Sequence, residues 1–122
     1  MGDFEKHMKI AKEKLRVTKE SFVKKDNTVV GDLATKVVEQ LVEADMARKG
    51  EHSGDHKSRH DYSNKEYPGN VNEAMRKIWF AYGNLGYDGA NGNRAKKVME
   101  NLGIIIKFFE ERFGVRIDEQ SA

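Results

Sequence analysis

The sequence has no cysteine and only one proline, Pro68, among its 122 residues. The absence of cysteine excludes disulfides and thiolate chemistry, so nothing in the fold depends on an oxidising compartment. No apolar run approaches the roughly 20 residues that cross a bilayer, and the start of the chain, residues 1–6, lacks the apolar core of a secretion signal. We therefore expect a single cytoplasmic domain over residues 1–122.

An excess of charge of one sign is also missing. The chain has 22 Lys and Arg residues against 20 Asp and Glu residues, a formal net charge of +2. A net charge this small does not by itself indicate nucleic-acid binding. Charged residues still make up 34% of the chain, and the two signs are interleaved, which is typical of solvated helix faces.

Four segments carry apolar residues at the three- and four-residue spacing of an α-helix. They cover residues 3–25, 29–49, 71–85 and 93–113, and residues 115–122 form a tail. Gly50 and Gly114 are natural stops after the second and fourth helices. The pattern predicts an all-α fold, an antiparallel four-helix up-and-down bundle, with room for a short extra helix in the polar connection 51–69.

The polar connection 51–69 is rich in histidine. His52, His56 and His60 are four residues apart, so a helical backbone would place the three imidazoles on one face. Imidazoles one turn apart can chelate zinc or a similar divalent metal. Asp55 or Asp61 would add an oxygen ligand or orient an imidazole.

The same connection holds the residue types of a nuclease-like site. In such a site a histidine is the general base, an arginine binds phosphate and a carboxylate orients the histidine. The candidates for these catalytic roles are His56, Arg59, His60 and Asp61. Two other interpretations stay open: the side chains tie a long connection to the helices by hydrogen bonds and ion pairs, or much of 51–69 is mobile.

The start of the last helix is rich in glycine and then in cations. Glycine recurs at every third position from 83 to 92, which marks a tight turn. Asn93, Arg94, Lys96 and Lys97 follow, and the free N–H groups of a helix start together with cations bind phosphate. These four residues are the candidate anion- or RNA-binding site. A turn whose basic residues face water is the simpler alternative, since the phosphate-binding loop pattern of nucleotide-binding proteins is absent.

Three aromatic residues lie close to this turn. Trp79, Tyr82 and Tyr87 have rings that can stack on nucleic-acid bases. Aromatic residues at helical spacing more often belong to a core, so we expect Trp79 and Tyr82 to be mostly buried and Tyr87 to be exposed.

The first two helical segments and the connection after them resemble a known family. The first segment carries Lys9-Ile10-Ala11 and Leu15, and the second ends at Lys49-Gly50, before the histidine-bearing Gly54-Asp55-His56. The second segment itself reads Asp32-Leu33-Ala34-Thr35-Lys36-Val37-Val38-Glu39-Gln40-Leu41-Val42-Glu43-Ala44. In length, helix order and these segments the chain resembles the HEPN domains, small helical bundles of prokaryotes.

The resemblance to HEPN domains implies a dimer whose partner is RNA or a small nucleotidyltransferase-like protein. Many members of that family are RNases, with an Arg followed shortly by a His late in the bundle. This motif has no match here, because no histidine follows His60 and the later arginines Arg76, Arg94 and Arg112 therefore have no partner. The resemblance thus implies a non-catalytic relative or one with a rebuilt site.

A dense apolar stretch in the last helix also predicts dimerisation. Five of the six residues 104–109 are large and apolar: Ile104, Ile105, Ile106, Phe108 and Phe109. One helix face cannot bury all five against its own bundle, so a second surface should cover the remainder.

Our leading hypothesis is a non-catalytic dimeric module, without a cofactor, that binds RNA or a nucleotidyltransferase-like partner. One alternative is a metal-dependent or nuclease-like enzyme built on His52, His56 and His60. The other is a structural scaffold without a ligand, which would lack a pocket beside 51–69 or 86–97.

Overall fold

The computed structural model describes residues 2–51, 55–85 and 92–118, with side chains at all of these except 2, 56 and 81–85. Five helices make up this part of the chain: α1 (Gly2–Val23), α2 (Asn27–Arg48), α3 (His56–Glu66), α4 (Gly69–Leu85) and α5 (Gly92–Phe113). No strand occurs among these residues. The predicted all-α class is therefore confirmed, and the four predicted helices match α1, α2, α4 and α5 to within two residues.

Helix α2 lies at the centre of the molecule. It contacts each of the other four helices, and most extensively α1. Between positions 30 and 46, only Asp32 and Lys36 are exposed. Six alanine and valine side chains in this part of α2 are fully buried: Val30, Ala34, Val37, Val38, Val42 and Ala44. A helix surrounded on all sides must bury polar residues as well as apolar ones, and each of those needs a partner.

Both helix ends that were predicted at glycine residues have the expected backbone. Gly50 and Gly114 have φ angles of +73° and +68°, the left-handed region that glycine enters without a steric penalty. Lys25 adopts the same conformation after α1, with φ of +66°. The amides of Lys25 and Asp26 donate to the carbonyl groups of Phe22 and Ser21 at 3.1 Å and 2.9 Å, which satisfies the last carbonyl groups of α1.

Helix α3 lies inside the connection 51–69, where the sequence was compatible with a short extra helix. Its start is set by Asp55, whose carboxylate accepts a hydrogen bond from the backbone amide of Ser58 at 2.8 Å. Three residues of α3 and its end, Tyr62, Ser63 and Tyr67, are buried against the rest of the fold. Because the helix is otherwise polar, these few contacts and the cap hold it in place.

The tail after α5 packs back onto the helices as far as it is described. The side chain of Ile117 is 1% exposed. The carboxylate of Glu110 accepts the backbone amides of Ile117 and Asp118 at 2.8 Å and 3.0 Å. Lys19 of α1 forms an ion pair with Asp118 at 2.8 Å. The tail therefore joins α1 to the end of α5.

The dense apolar stretch of α5 is largely covered within one chain. Ile105, Ile106 and Phe109 are buried, and Phe108 packs partly buried against the core. Ile104 remains 44% exposed. The burial is possible because α5 contacts both α2 and α4. Of the described helices, none combines the length and apolar character needed to cross a membrane.

Candidate functional site

The predicted catalytic residues of α3 contact different partners. The guanidinium of Arg59 donates to the carboxylate of Glu43 at 2.8 Å and lies 3.8 Å from that of Glu39, both on α2. Asp61 forms an exposed ion pair with Lys57 at 3.0 Å. Arg59 thus joins α3 to α2, as expected if the side chains tie the connection to the helices.

His60 stacks on Trp79 of α4. The ring centroids are 4.0 Å apart and the planes are tilted by 50°. Trp79 is partly buried against the core, and its indole Nε1 is buried without a hydrogen-bond partner in the described part of the chain. The prediction of a mostly buried Trp79 is therefore approximately met. Tyr87 and the side chain of Tyr82 lie outside the described residues.

The predicted metal site cannot be placed on this geometry. His52 and the side chain of His56 lie outside the described residues, so the set His52, His56 and His60 stays a prediction. Among the side chains that are described, no three His, Asp or Glu residues come close enough together to hold a metal ion. Asp55 acts as the cap of α3, and the hydrogen bond from the Ser58 amide lowers the pKa of its carboxyl group.

A buried carboxylate that was not among the predicted site residues lies near the end of α2. Asp45 is fully buried. Its Oδ2 accepts hydrogen bonds from the hydroxyl groups of Tyr62 at 3.1 Å and Tyr67 at 2.8 Å, and from Nε of Arg112 at 2.9 Å. Asp45 therefore links α2 to α3, to Tyr67 in the turn between α3 and α4, and to the end of α5.

Further charges surround this carboxylate. Nη2 of Arg48 lies 3.5 Å from Oδ1 of Asp45, too far for a good hydrogen bond, and Oδ1 has no hydrogen-bond partner among the residues that the structure describes. Glu66 pairs with Lys49 at 2.6 Å and with Arg112 at 3.6 Å. The hydrogen bond from Lys49 lowers the pKa of Glu66. Since Arg112 and both tyrosines donate to one oxygen of this carboxylate, the cluster ties the helices together.

The tyrosines of this cluster make the fold sensitive to alkali. Burial, followed by the charge of Asp45, raises the pKa of Tyr67 far above its ordinary value, and burial also raises the pKa of Tyr62. The unfolded chain therefore loses the Tyr67 proton first, near pH 10. Above that pH we expect the free energy of unfolding to fall by up to about 1.4 kcal/mol per pH unit from Tyr67.

Urea unfolding at several pH values between about 9 and 11 would measure this slope. In Tyr67→Phe the slope should be shallower, because phenylalanine has no proton to lose. Equal slopes in the two proteins would show that Tyr67 does not control the alkaline limit.

A groove of about 740 Å³ lies between the end of α4 and the start of α5. Its lining includes two predicted cations, Arg94 and Lys97, together with Lys77 of α4. Phe80 also lines it, with 70% of its surface exposed. The remaining lining residues are Asn93, Val98, Glu100 and Asn101. The predicted residue Lys96 is exposed but does not line the groove.

Three of the four predicted anion-site residues, Asn93, Arg94 and Lys97, therefore share one surface. The structure adds Lys77 and Phe80 of α4, which were not among the predicted site residues. Lys77 also lies 3.4 Å from Glu73, an exposed pair that leaves its ammonium group hydrated. The groove thus combines three cations, one carboxylate, two side-chain amides and an exposed aromatic ring.

Comparison of the chain with family models, with curated proteins and with solved structures finds no match. The resemblance to HEPN domains therefore stays a prediction from the residues quoted for it.

Proposed function

We propose that this protein is a non-catalytic RNA-binding module that holds single-stranded RNA in the groove between α4 and α5. The observation that supports this is the set of Lys77, Arg94 and Lys97 around the exposed ring of Phe80. Cations that neutralise phosphates supply most of the affinity for a nucleic-acid backbone. An exposed aromatic ring stacks on an unpaired base of any sequence.

The start of α5 strengthens the case for a polyanion. Asn93, Arg94 and Lys97 lie in its first two turns, at the end of the helix where the helix dipole favours negative charge. Cations at this end oppose the dipole and cost a few tenths of a kcal/mol each. A bound phosphate would offset that cost by contacting both the cations and the N–H groups.

Binding is proposed rather than cleavage because of the position of Arg59. Its guanidinium is paired with Glu43 and Glu39. Arg59 would therefore have to break both ion pairs before it could bind the phosphate of a substrate in a nuclease-like site on α3. The Asp61 carboxylate is paired with Lys57 on the same helix. An RNA ligand also agrees with the cytoplasmic location expected from the sequence.

We also propose that the four long helices alternate in direction as an antiparallel up-and-down bundle. The short turn 24–26 reverses the chain between α1 and α2. Tyr67, just before α4, contacts Asp45 near the end of α2. Gly92 at the start of α5 lies beside Asn27 at the start of α2. These end-to-end contacts support opposite directions for α2 and α4 and a common direction for α2 and α5.

The test is fluorescence anisotropy with a labelled single-stranded RNA of about ten nucleotides. Lys97→Glu is expected to weaken binding by about tenfold or more, with a reduced dependence on salt concentration. Phe80→Ala is expected to weaken binding by about fivefold to a hundredfold through lost stacking. The RNA should be intact afterwards on a denaturing gel.

Lys9→Glu is the matched control, because Lys9 is an exposed lysine on α1, away from the groove. Equal losses of RNA affinity in Lys9→Glu and Lys97→Glu would mean that binding depends only on the net charge of the protein. That result would contradict the proposed site. Absence of RNA binding by the unmodified protein would overturn the proposed function and leave the nucleotidyltransferase-like protein as the remaining partner class. Cleaved RNA would favour the nuclease-like alternative.

A further inference from the structure

The outer face of α5 carries charged residues in a regular order. Successive members are three or four residues apart, except that Gly103 and Ile104 are adjacent at the centre, and this spacing places them on one side of the helix. All are exposed, including Ile104 at 44%. In chain order they are Lys96, Glu100, Gly103, Ile104, Lys107 and Glu111.

This order is self-complementary when two copies of α5 run antiparallel. With a two-fold axis between positions 103 and 104, Lys96 lies opposite Glu111 of the second copy, and Glu100 lies opposite its Lys107. Every charge then meets an opposite charge, and each pair occurs twice by symmetry. A parallel arrangement would place each charge beside its own copy, so like charges would repel.

In the described part of the chain these charged side chains form no ion pairs with one another. Lys96–Glu100 and Lys107–Glu111 have the spacing at which helix side chains often pair, but neither forms an ion pair in the described structure. Lys96, Glu100, Lys107 and Glu111 therefore remain available to a second molecule.

In the part of the chain that the structure describes, no close contact requires a glycine at position 103, the centre of this face. A Cβ atom built at Gly103 would meet nothing within 4 Å, and glycine inside a helix weakens it relative to alanine. In the antiparallel pair, Gly103 would lie opposite Ile104 of the second copy. The missing side chain would then let the two helix backbones approach and give Ile104 an apolar surface to pack against.

We propose that two copies of this chain associate through antiparallel pairing of their α5 helices, centred between Gly103 and Ile104. This surface shares Glu100 with the RNA groove, whereas Lys96, Lys107 and Glu111 do not line the groove. Dimerisation is measured without RNA, so failure of the pairing and failure of the RNA proposal can be told apart. The occupant is a second copy because the charge pattern is complementary to itself.

Charge reversal with rescue tests the pairing, measured by sedimentation velocity over a series of protein concentrations. Lys107→Glu and Glu100→Lys each turn two attractive pairs into repulsive ones, and each is expected to raise the dimer dissociation constant about tenfold or more. The double variant restores both pairs and should dimerise like the unmodified protein. An equimolar mixture of the two single variants should form a heterodimer, since their reversed charges are complementary.

Lys9→Glu is again the matched control and should leave the dissociation constant unchanged. A second test is independent of charge: Gly103→Leu should keep the helical circular dichroism spectrum, because the site is open, and should abolish the dimer. An unmodified protein that is monomeric at every concentration would overturn the proposal. So would a dimer that survives both single reversals, or a double variant as weak as the single ones.

Discussion

Asp45→Ala is expected to lower the free energy of unfolding by about 3–5 kcal/mol, because it removes one partner from a buried ionic cluster. The substitution leaves the hydroxyl groups of Tyr62 and Tyr67 and the guanidinium of Arg112 without their shared acceptor. Both tyrosines are more than nine-tenths buried, so water cannot replace the carboxylate without opening the fold. The total free energy of unfolding of a domain of this size is roughly 5–15 kcal/mol. Urea denaturation followed by circular dichroism would measure the loss.

Asp32→Ala provides the matched control for Asp45→Ala. Asp32 is an exposed carboxylate on the same helix, and its removal should change the free energy of unfolding by less than about 0.5 kcal/mol. Asp45→Asn should give an intermediate loss, because its carbonyl oxygen still accepts one of the three donors. A loss below about 1 kcal/mol in Asp45→Ala would show that the cluster contributes little to stability.

Phe109→Ala is expected to lower the free energy of unfolding by about 3–5 kcal/mol. The Phe109 ring is fully buried, and the rings of Tyr67, Phe108 and Phe113 lie 5.2–5.3 Å from it, most of them edge-on. Alanine leaves a cavity that these rings cannot fill without moving, and it also removes the edge-to-face contacts. Thermal and urea unfolding of the variant would give the loss.

Phe80→Ala is the matched control for Phe109→Ala, because it removes the same type of side chain from an exposed position. Since 70% of Phe80 is exposed, its loss should change stability by less than about 0.5 kcal/mol, and this makes any loss of RNA binding interpretable. Similar destabilisation by Phe80→Ala and Phe109→Ala would contradict the position of Phe109 in the core.

Stability and proposed binding are therefore separated along α5. Arg112, near the end of the helix, belongs to the Asp45 cluster, whereas Arg94 and Lys97, near its start, line the groove. Residues 94 and 112 are about 27 Å apart at the rise of an α-helix. Variants at one end should leave the property assigned to the other end intact, and stability measurements on the groove variants can check this directly.

The short helix α3 could not be predicted from the apolar pattern of the sequence. Its residues show no apolar stripe, so the sequence only left room for a helix at 51–69. The cap at Asp55 is readable from the sequence, but the anchors are the two tyrosines that reach Asp45 on another helix. Arg59 was selected for chemistry, and its pairing with Glu43 and Glu39 depends on how α3 lies against α2.

The positions of the long helices and the glycine residues that end α2 and α5 were determined by the sequence alone, because helical periodicity and left-handed turns are local properties of neighbouring residues. Only the tertiary structure decided which polar side chains are buried and which cations share a groove. Burial of Asp45 depends on partners at positions 62, 67 and 112, and the groove joins Lys77 and Phe80 to Arg94 and Lys97. Such contacts between distant residues arise only when the helices pack, so no local pattern can encode them.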